Sequence, residues 1–68
     1  MQNTTIIVNG QEYAWTPNLT VGELLASLAL DPERVAVELN GDILTGRIVE
    51  HRIGAGDTLE LVQFVEGG

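Results

Sequence analysis

The stretch Leu19-Thr20-Val21-Gly22-Glu23-Leu24-Leu25-Ala26-Ser27-Leu28 decides the architecture, because it is the one clear helix in a 68-residue chain. Thr20 can cap its start, and Glu23 stands three positions on, which makes a capping box. Leu19, just before the cap, can pack on Leu24 as a hydrophobic staple. Val21, Leu24, Leu25 and Leu28 fall at i, i+3, i+4 and i+7, a single apolar stripe. Gly22 is poor in propensity but sits in the first turn, where it costs least. Asp31-Pro32 is the stop signal.

Working outward, the flanks read as strands. On the N-terminal side Thr4 to Val8 is rich in β-branched residues. Asn9-Gly10 is a strong two-residue hairpin turn, since both central positions take positive φ. Gln11 to Trp15 is the return strand, broken by Thr16-Pro17-Asn18. On the C-terminal side Val35, Val37 and Leu39 alternate with Ala36 and Glu38, a half-buried strand. Asn40-Gly41 is a second tight turn, and Asp42 to Leu44 pairs back briefly. Residues 45–53 read as a short helical or irregular crossover. Gly54-Ala55-Gly56-Asp57 is a turn, and Thr58 to Val65 is the last strand. In it Leu59 and Leu61 share one face, and Glu60, Val62 and Phe64 the other. The order is ββ-α-ββ-β, an α+β domain with one helix on one face of a small mixed sheet of four to five strands. The stripe is expected to cover Ile6, Val8, Val37, Leu39, Leu59 and Leu61.

Composition narrows the function. There is no Cys, which excludes disulfides, zinc thiolates and a nucleophilic thiol. A single His (His51) excludes a multi-His metal site. No paired carboxylates or activated nucleophile suggest catalysis, so the chain reads as a non-enzyme that binds no cofactor or metal. His51, between Glu50 and Arg52, reads as a solvated surface side chain, and Trp15 as packing. The net charge is −7, from ten acids and three arginines with no Lys. Residues 1–34 hold one arginine against four acids, and residues 35–68 two against six, so the charge is spread along the chain. Such a surface repels nucleic acid and anionic membranes and suits a basic protein partner met by electrostatic steering. The apolar runs are short, about three residues as in Ile6-Ile7-Val8, and the N-terminus has no leader pattern. The expectation is a cytoplasmic protein.

The remaining feature is the tail. Residues 1–65 are expected to form the domain and residues 66–68 a flexible end. Glycine is 8 of 68 residues, yet two stand together at Gly67-Gly68. A Gly-Gly end is thin and unencumbered, so a narrow channel in another enzyme can admit it. Its carboxylate can then be activated as an acyl-adenylate, with no side chain blocking attack on the carbonyl. A body without Lys or Cys offers no rival amine or thiol to capture that electrophile.

With these elements in place, the order ββ-α-ββ-β and the terminal Gly-Gly resemble the β-grasp fold of ubiquitin-like proteins. Thr58-Leu59-Glu60-Leu61-Val62-Gln63-Phe64-Val65-Glu66-Gly67-Gly68 resembles the last strand and tail of ubiquitin. The chain length, the segment Val35-Ala36-Val37-Glu38-Leu39-Asn40-Gly41-Asp42-Ile43-Leu44 and Gly56-Asp57 before the last strand are similar to the ThiS-type sulfur carriers of thiamine biosynthesis, in the family that also holds the MoaD type. The resemblance implies a carrier whose Gly68 carboxylate is adenylated by a ThiF-like adenylyltransferase using ATP. Sulfur from a persulfide donor then makes a thiocarboxylate, which thiazole synthase accepts. It implies Gly68 as the attachment point, Gly67 as the residue that gives access to it, and Ile7, Val62, Phe64, Val65 and Glu66 as docking residues, with Ile7, Val62 and Phe64 on the open face of the sheet. Leu44-Thr45-Gly46-Arg47 keeps only the arginine of the family's frequent Pro-Arg pair. Glu66 stands where a small residue is common, so the partner's channel must accommodate its charge. The alternatives are a related carrier for molybdopterin synthesis, a ubiquitin-like modifier joined to lysines through Gly68, and a β-grasp binding module.

Overall fold

The computed structural model describes residues 4–64. Within them the chain runs β1 (Thr5–Val8), β2 (Gln11–Ala14), α1 (Val21–Ser27), a 3-10 turn (Pro32–Arg34), β3 (Val35–Leu39), β4 (Asp42–Ile43), a second 3-10 turn (Ile48–Glu50) and β5 (Thr58–Gln63). The strands form one sheet in the order β2-β1-β5-β3-β4. β1 and β5 are parallel, and the other pairs are antiparallel. This is the β-grasp arrangement, with the last strand in the middle of the sheet.

Both hairpins turn as the sequence requires. Asn9 and Gly10 have φ of 50 and 83°, and Asn40 and Gly41 have 51 and 90°. Paired positive φ values match the right-handed twist of the strands. The asparagines also act through their side chains. The Asn9 carboxamide accepts from the Leu61 N–H at 2.7 Å and donates to the Leu61 carbonyl at 3.2 Å. It thereby stands in for the strand residue that β1, ending at Val8, does not supply. Asn40 accepts from the Thr58 N–H at 2.9 Å. The two turns thus pin β5 from both sides.

The helix begins as expected. Thr20 accepts from the Glu23 N–H at 3.2 Å, and Glu23 accepts in return from the Thr20 N–H at 3.1 Å. Its end is a correction. The helix stops at Ser27, well before Asp31-Pro32. Ala29 turns left-handed with φ 59°. The Leu30 N–H then bonds the Leu25 carbonyl, and the Ala29 N–H bonds the Ala26 carbonyl, which closes a Schellman motif. Asp31 and Pro32 instead start the 3-10 turn, with the Asp31 carboxylate accepting from the Glu33 N–H at 2.9 Å.

The core lies between α1 and one face of the sheet. Val21, Leu24 and Leu25 of the helix meet Ile6 and Val8 of β1, Val35 and Val37 of β3, and Leu59 and Leu61 of β5, all buried. Leu28 and Leu39 are half-buried against this cluster. Burying a Leu, Ile or Val side chain contributes about 1.5–3 kcal/mol. Ile53, in the crossover, joins the core at 3% exposure. The crossover is pinned to the helix start, where the Val21 N–H donates to the His51 carbonyl and the Ile53 N–H to the Leu19 carbonyl, both at 2.9 Å. The Trp15 indole N–H donates to the Ile53 carbonyl at 2.7 Å, so Trp15 is a packing residue. The outer strands are shorter than expected, β2 ending at Ala14 and β4 at Ile43, and so is the central β5, which ends at Gln63 with Phe64 just beyond it. No helix among the described residues is long and apolar enough to cross a membrane.

Candidate functional site

The helix covers one face of the sheet and leaves the other open. Register decides what that open face carries. Val37 pairs with Leu61 and Leu39 with Leu59, all facing the helix. Alternation then turns Ala36 and Glu38 of β3, and Glu60 and Val62 of β5, to the open side. Glu38 also pairs with Ile43 across the β3–β4 hairpin, which puts Ile43 on the same side. Val62, Phe64 and Ile43 are large apolar side chains at 58, 55 and 67% exposure. Single exposed apolar residues are ordinary, but three on one uncovered face are a candidate docking surface.

The open face reaches the last described residue, Phe64. Phe64 follows β5 directly, and its N–H donates to the Arg34 carbonyl at 2.7 Å. That bond holds the chain against the start of β3 at the last described residue. Beside it a cleft is lined by Asp31, Glu33, Arg34 and Phe64. The Arg34 Nε lies 3.7 Å from an Asp31 carboxylate oxygen.

The structure brings Val62 and Phe64 together at the C-terminal end of the described residues. Ile7 lies on the same face but beside Thr58, four residues before Val62 along β5, or about 13 Å away. It is half-buried. Val65, Glu66, Gly67 and Gly68 lie outside the described residues. The alternation of β3 already puts Ala36 on this face, but Ile43 is not singled out by the pattern of its own short strand. The signal for it lies in the turn, because a two-residue Asn40-Gly41 turn forces Leu39 opposite Asp42 and hence Glu38 opposite Ile43. Among the described residues no group of three or more His, Cys, Asp or Glu is placed to hold a metal ion.

Comparison with known proteins agrees with this geometry. The ThiS family model matches residues 6–68, nearly the whole chain. The chain belongs to the ThiS family. The thiamine biosynthesis protein ThiS of Geobacter metallireducens has a similar structure, with a TM-score of 0.73 and 34% identity, covering 94% of this chain and 99% of that one. A designed protein based on the template of human erythrocytic ubiquitin matches with a TM-score of 0.56 and 30% identity, over 100% of this chain and 98% of its own. Among sequences, a thiazole synthase of Paramagnetospirillum magneticum is 36% identical over 64 residues, covering 93% of this chain. The chain spans only 20% of that relative's length. The uncharacterized protein ycf40 of Porphyra purpurea is 31% identical and matches 98% of this chain and 96% of its own length. The family match includes the Gly67-Gly68 end and the open-face residues of β3 and β5.

Proposed function

We propose that this ThiS-family chain is a sulfur carrier for thiazole formation in thiamine biosynthesis, acting as a co-substrate rather than as an enzyme. The observation that carries the reading is the family match over residues 6–68, which takes in the Gly-Gly end. A ThiF-like adenylyltransferase joins the Gly68 carboxylate to AMP from ATP and releases pyrophosphate. The terminal sulfur of a persulfide attacks the acyl carbon, and AMP leaves. A thiol then cleaves the resulting acyl disulfide and is itself oxidised to a disulfide with the donor sulfur. The product is a thiocarboxylate at Gly68, already ionised at neutral pH and a good sulfur nucleophile. The thiazole synthase relative supports that enzyme as the acceptor, because a stretch resembling this chain occupies about a fifth of its length.

The parts divide the work. Gly67 and Gly68 enter the partner's channel, and the open face with Val62 and Phe64 docks the body. Ile7 lies at the far end of that face, and Val65 and Glu66, which stand in sequence between Phe64 and the Gly-Gly end, complete the proposed docking residues.

The test is an intact mass measurement after incubation with the adenylyltransferase, ATP and a persulfide source. The expected gain equals the exchange of one oxygen for one sulfur, lost when Gly68 is deleted. A ladder of conjugates to lysines of other proteins would replace this reading with that of a protein modifier. Growth without thiamine that survives Gly68 deletion would remove the thiamine assignment.

A further inference from the structure

Asparagine is followed by glycine at Asn9-Gly10 and at Asn40-Gly41, and both pairs form hairpin tips. Such a dipeptide is where a chain most readily attacks itself, because glycine has no side chain to shield its nitrogen. Both tips are open. All of these residues are exposed, and a Cβ added at Gly10 or Gly41 would meet nothing within 4 Å. Among the described residues the N–H of neither glycine has a backbone partner. What restrains each asparagine is its own side chain. Asn9 is bonded twice to the backbone of Leu61, inside β5 and partly shielded from water. Asn40 is held less firmly. Its side-chain carbonyl accepts from the N–H of Thr58, the first residue of β5, at 2.9 Å. Its NH2 group donates to the Asp57 carboxylate at 3.1 Å, in a bond that solvent reaches.

We propose that Asn40 is a site of spontaneous deamidation, held back by the bonds its side chain makes to Thr58 and Asp57, with Asn9 the slower second site. Hydroxide removes the Gly41 amide proton, and the nitrogen attacks the Asn40 Cγ. The N–Cγ bond forms, the Cγ–Nδ2 bond breaks, and ammonia leaves with a proton taken from water. Water then opens the cyclic imide to aspartate or isoaspartate, with nothing oxidised or reduced. Ring closure folds the side chain back onto its own backbone, so it has to release β5 first. Giving up two hydrogen bonds slows the reaction roughly tenfold or more. Asn40 reacts first because one of its partners is a side chain, whereas both partners of Asn9 are backbone groups of the central strand. The product undoes the clamp. Aspartate at position 40 sets a carboxylate against that of Asp57 where a donor stood. Isoaspartate adds a main-chain carbon to the two-residue turn that places Ile43 opposite Glu38. The reaction needs no partner and is independent of the chemistry at Gly68.

The experiment keeps the full chain in warm, mildly alkaline buffer, folded and in guanidinium chloride. Peptide mapping by mass follows the exchange of –NH2 for –OH at each asparagine over time. Asn18, followed by the bulky Leu19, is the internal control. In denaturant Asn9 and Asn40 should react at similar rates, both faster than Asn18. In the folded chain both should slow by roughly tenfold or more, with Asn40 ahead of Asn9. Asp57→Ala should speed Asn40 in the folded chain and leave Asn9 nearly unchanged. Asn40→Asp, which reproduces the aspartate product, should lower the urea midpoint. Equal rates in the folded and denatured wild-type chain would overturn the proposal, and so would a folded chain in which Asn9 reacts first. Equal acceleration of both sites by Asp57→Ala would assign the effect to general unfolding and overturn the local clamp. An unchanged midpoint in Asn40→Asp would overturn the consequence for β5. The wild-type comparison decides the proposal even if Asp57→Ala fails to fold.

Discussion

Gly22 shows how one missing side chain organises the molecule. A Cβ there would stand 2.9 Å from the Val49 carbonyl oxygen and 3.0 Å from the Val49 Cβ. The glycine therefore lets the first turn of α1 meet the crossover turn Ile48–Glu50 at backbone distance. By propensity alone Gly22 reads as a defect in the helix, and alanine should gain about 1 kcal/mol. The contact reverses the sign, because the atom in the way is backbone and cannot rotate aside. Overpacking of this kind costs about 1–3 kcal/mol. Gly22→Ala should therefore lower the urea unfolding midpoint, and a more stable variant would show that residues 48–50 shift freely. The asparagines of the two hairpins act at the same scale. Each adopts the positive φ its turn needs and also bonds the backbone of β5, so a residue chosen for its turn doubles as a clamp on the central strand.

At the scale of elements, the two ends of α1 explain what the sequence makes legible and what it does not. The start is legible because capping is local. Thr20 and Glu23 lie three residues apart and satisfy each other whatever the rest of the chain does. The end is not, because the chain closes a Schellman motif on Ala29 instead of the glycine that normally marks one. Asp31-Pro32 offers a conventional stop signal a few residues later and draws the boundary with it. The crossover 45–53 is illegible for a different reason. Its order comes from distant contacts, such as the Val21 N–H on the His51 carbonyl and the burial of Ile53, and no local pattern announces them. Ala29 carries a test of this account. A left-handed non-glycine residue costs about 1–2 kcal/mol, part of which glycine returns through its freer unfolded state. Ala29→Gly should raise the thermal midpoint, with a net gain of about 0.5–1 kcal/mol. A loss of stability would mean that the Ala29 methyl makes a contact worth more than the strain.

At the scale of the whole molecule, one helix can cover only one side of a five-stranded sheet. Strand alternation then writes two different surfaces into the same six residues of β5. Leu59 and Leu61 close the core, while Glu60 and Val62 face outward. That division is visible in the alternation itself. The apolar neighbourhood of Val62 needs the register of β3 and β4 before Ala36 and Ile43 can be added to it. The division predicts that stability and docking separate by residue. Leu61 is 9% exposed and packs in the core cluster, so Leu61→Ala should cost about 2–5 kcal/mol. Phe64 is 55% exposed, and a surface substitution of this kind usually stays within about 0.5 kcal/mol. Phe64→Ala should instead weaken binding to the adenylyltransferase, slow the gain of sulfur at Gly68 and leave the urea midpoint near wild type. The discriminating measurement is the pair of ratios, affinity and midpoint, for both variants side by side. Equal destabilisation by the two substitutions would place Phe64 in the core and remove the open face as the docking surface. A stable Phe64→Ala chain with undiminished affinity would leave the face open but move the docking contact elsewhere.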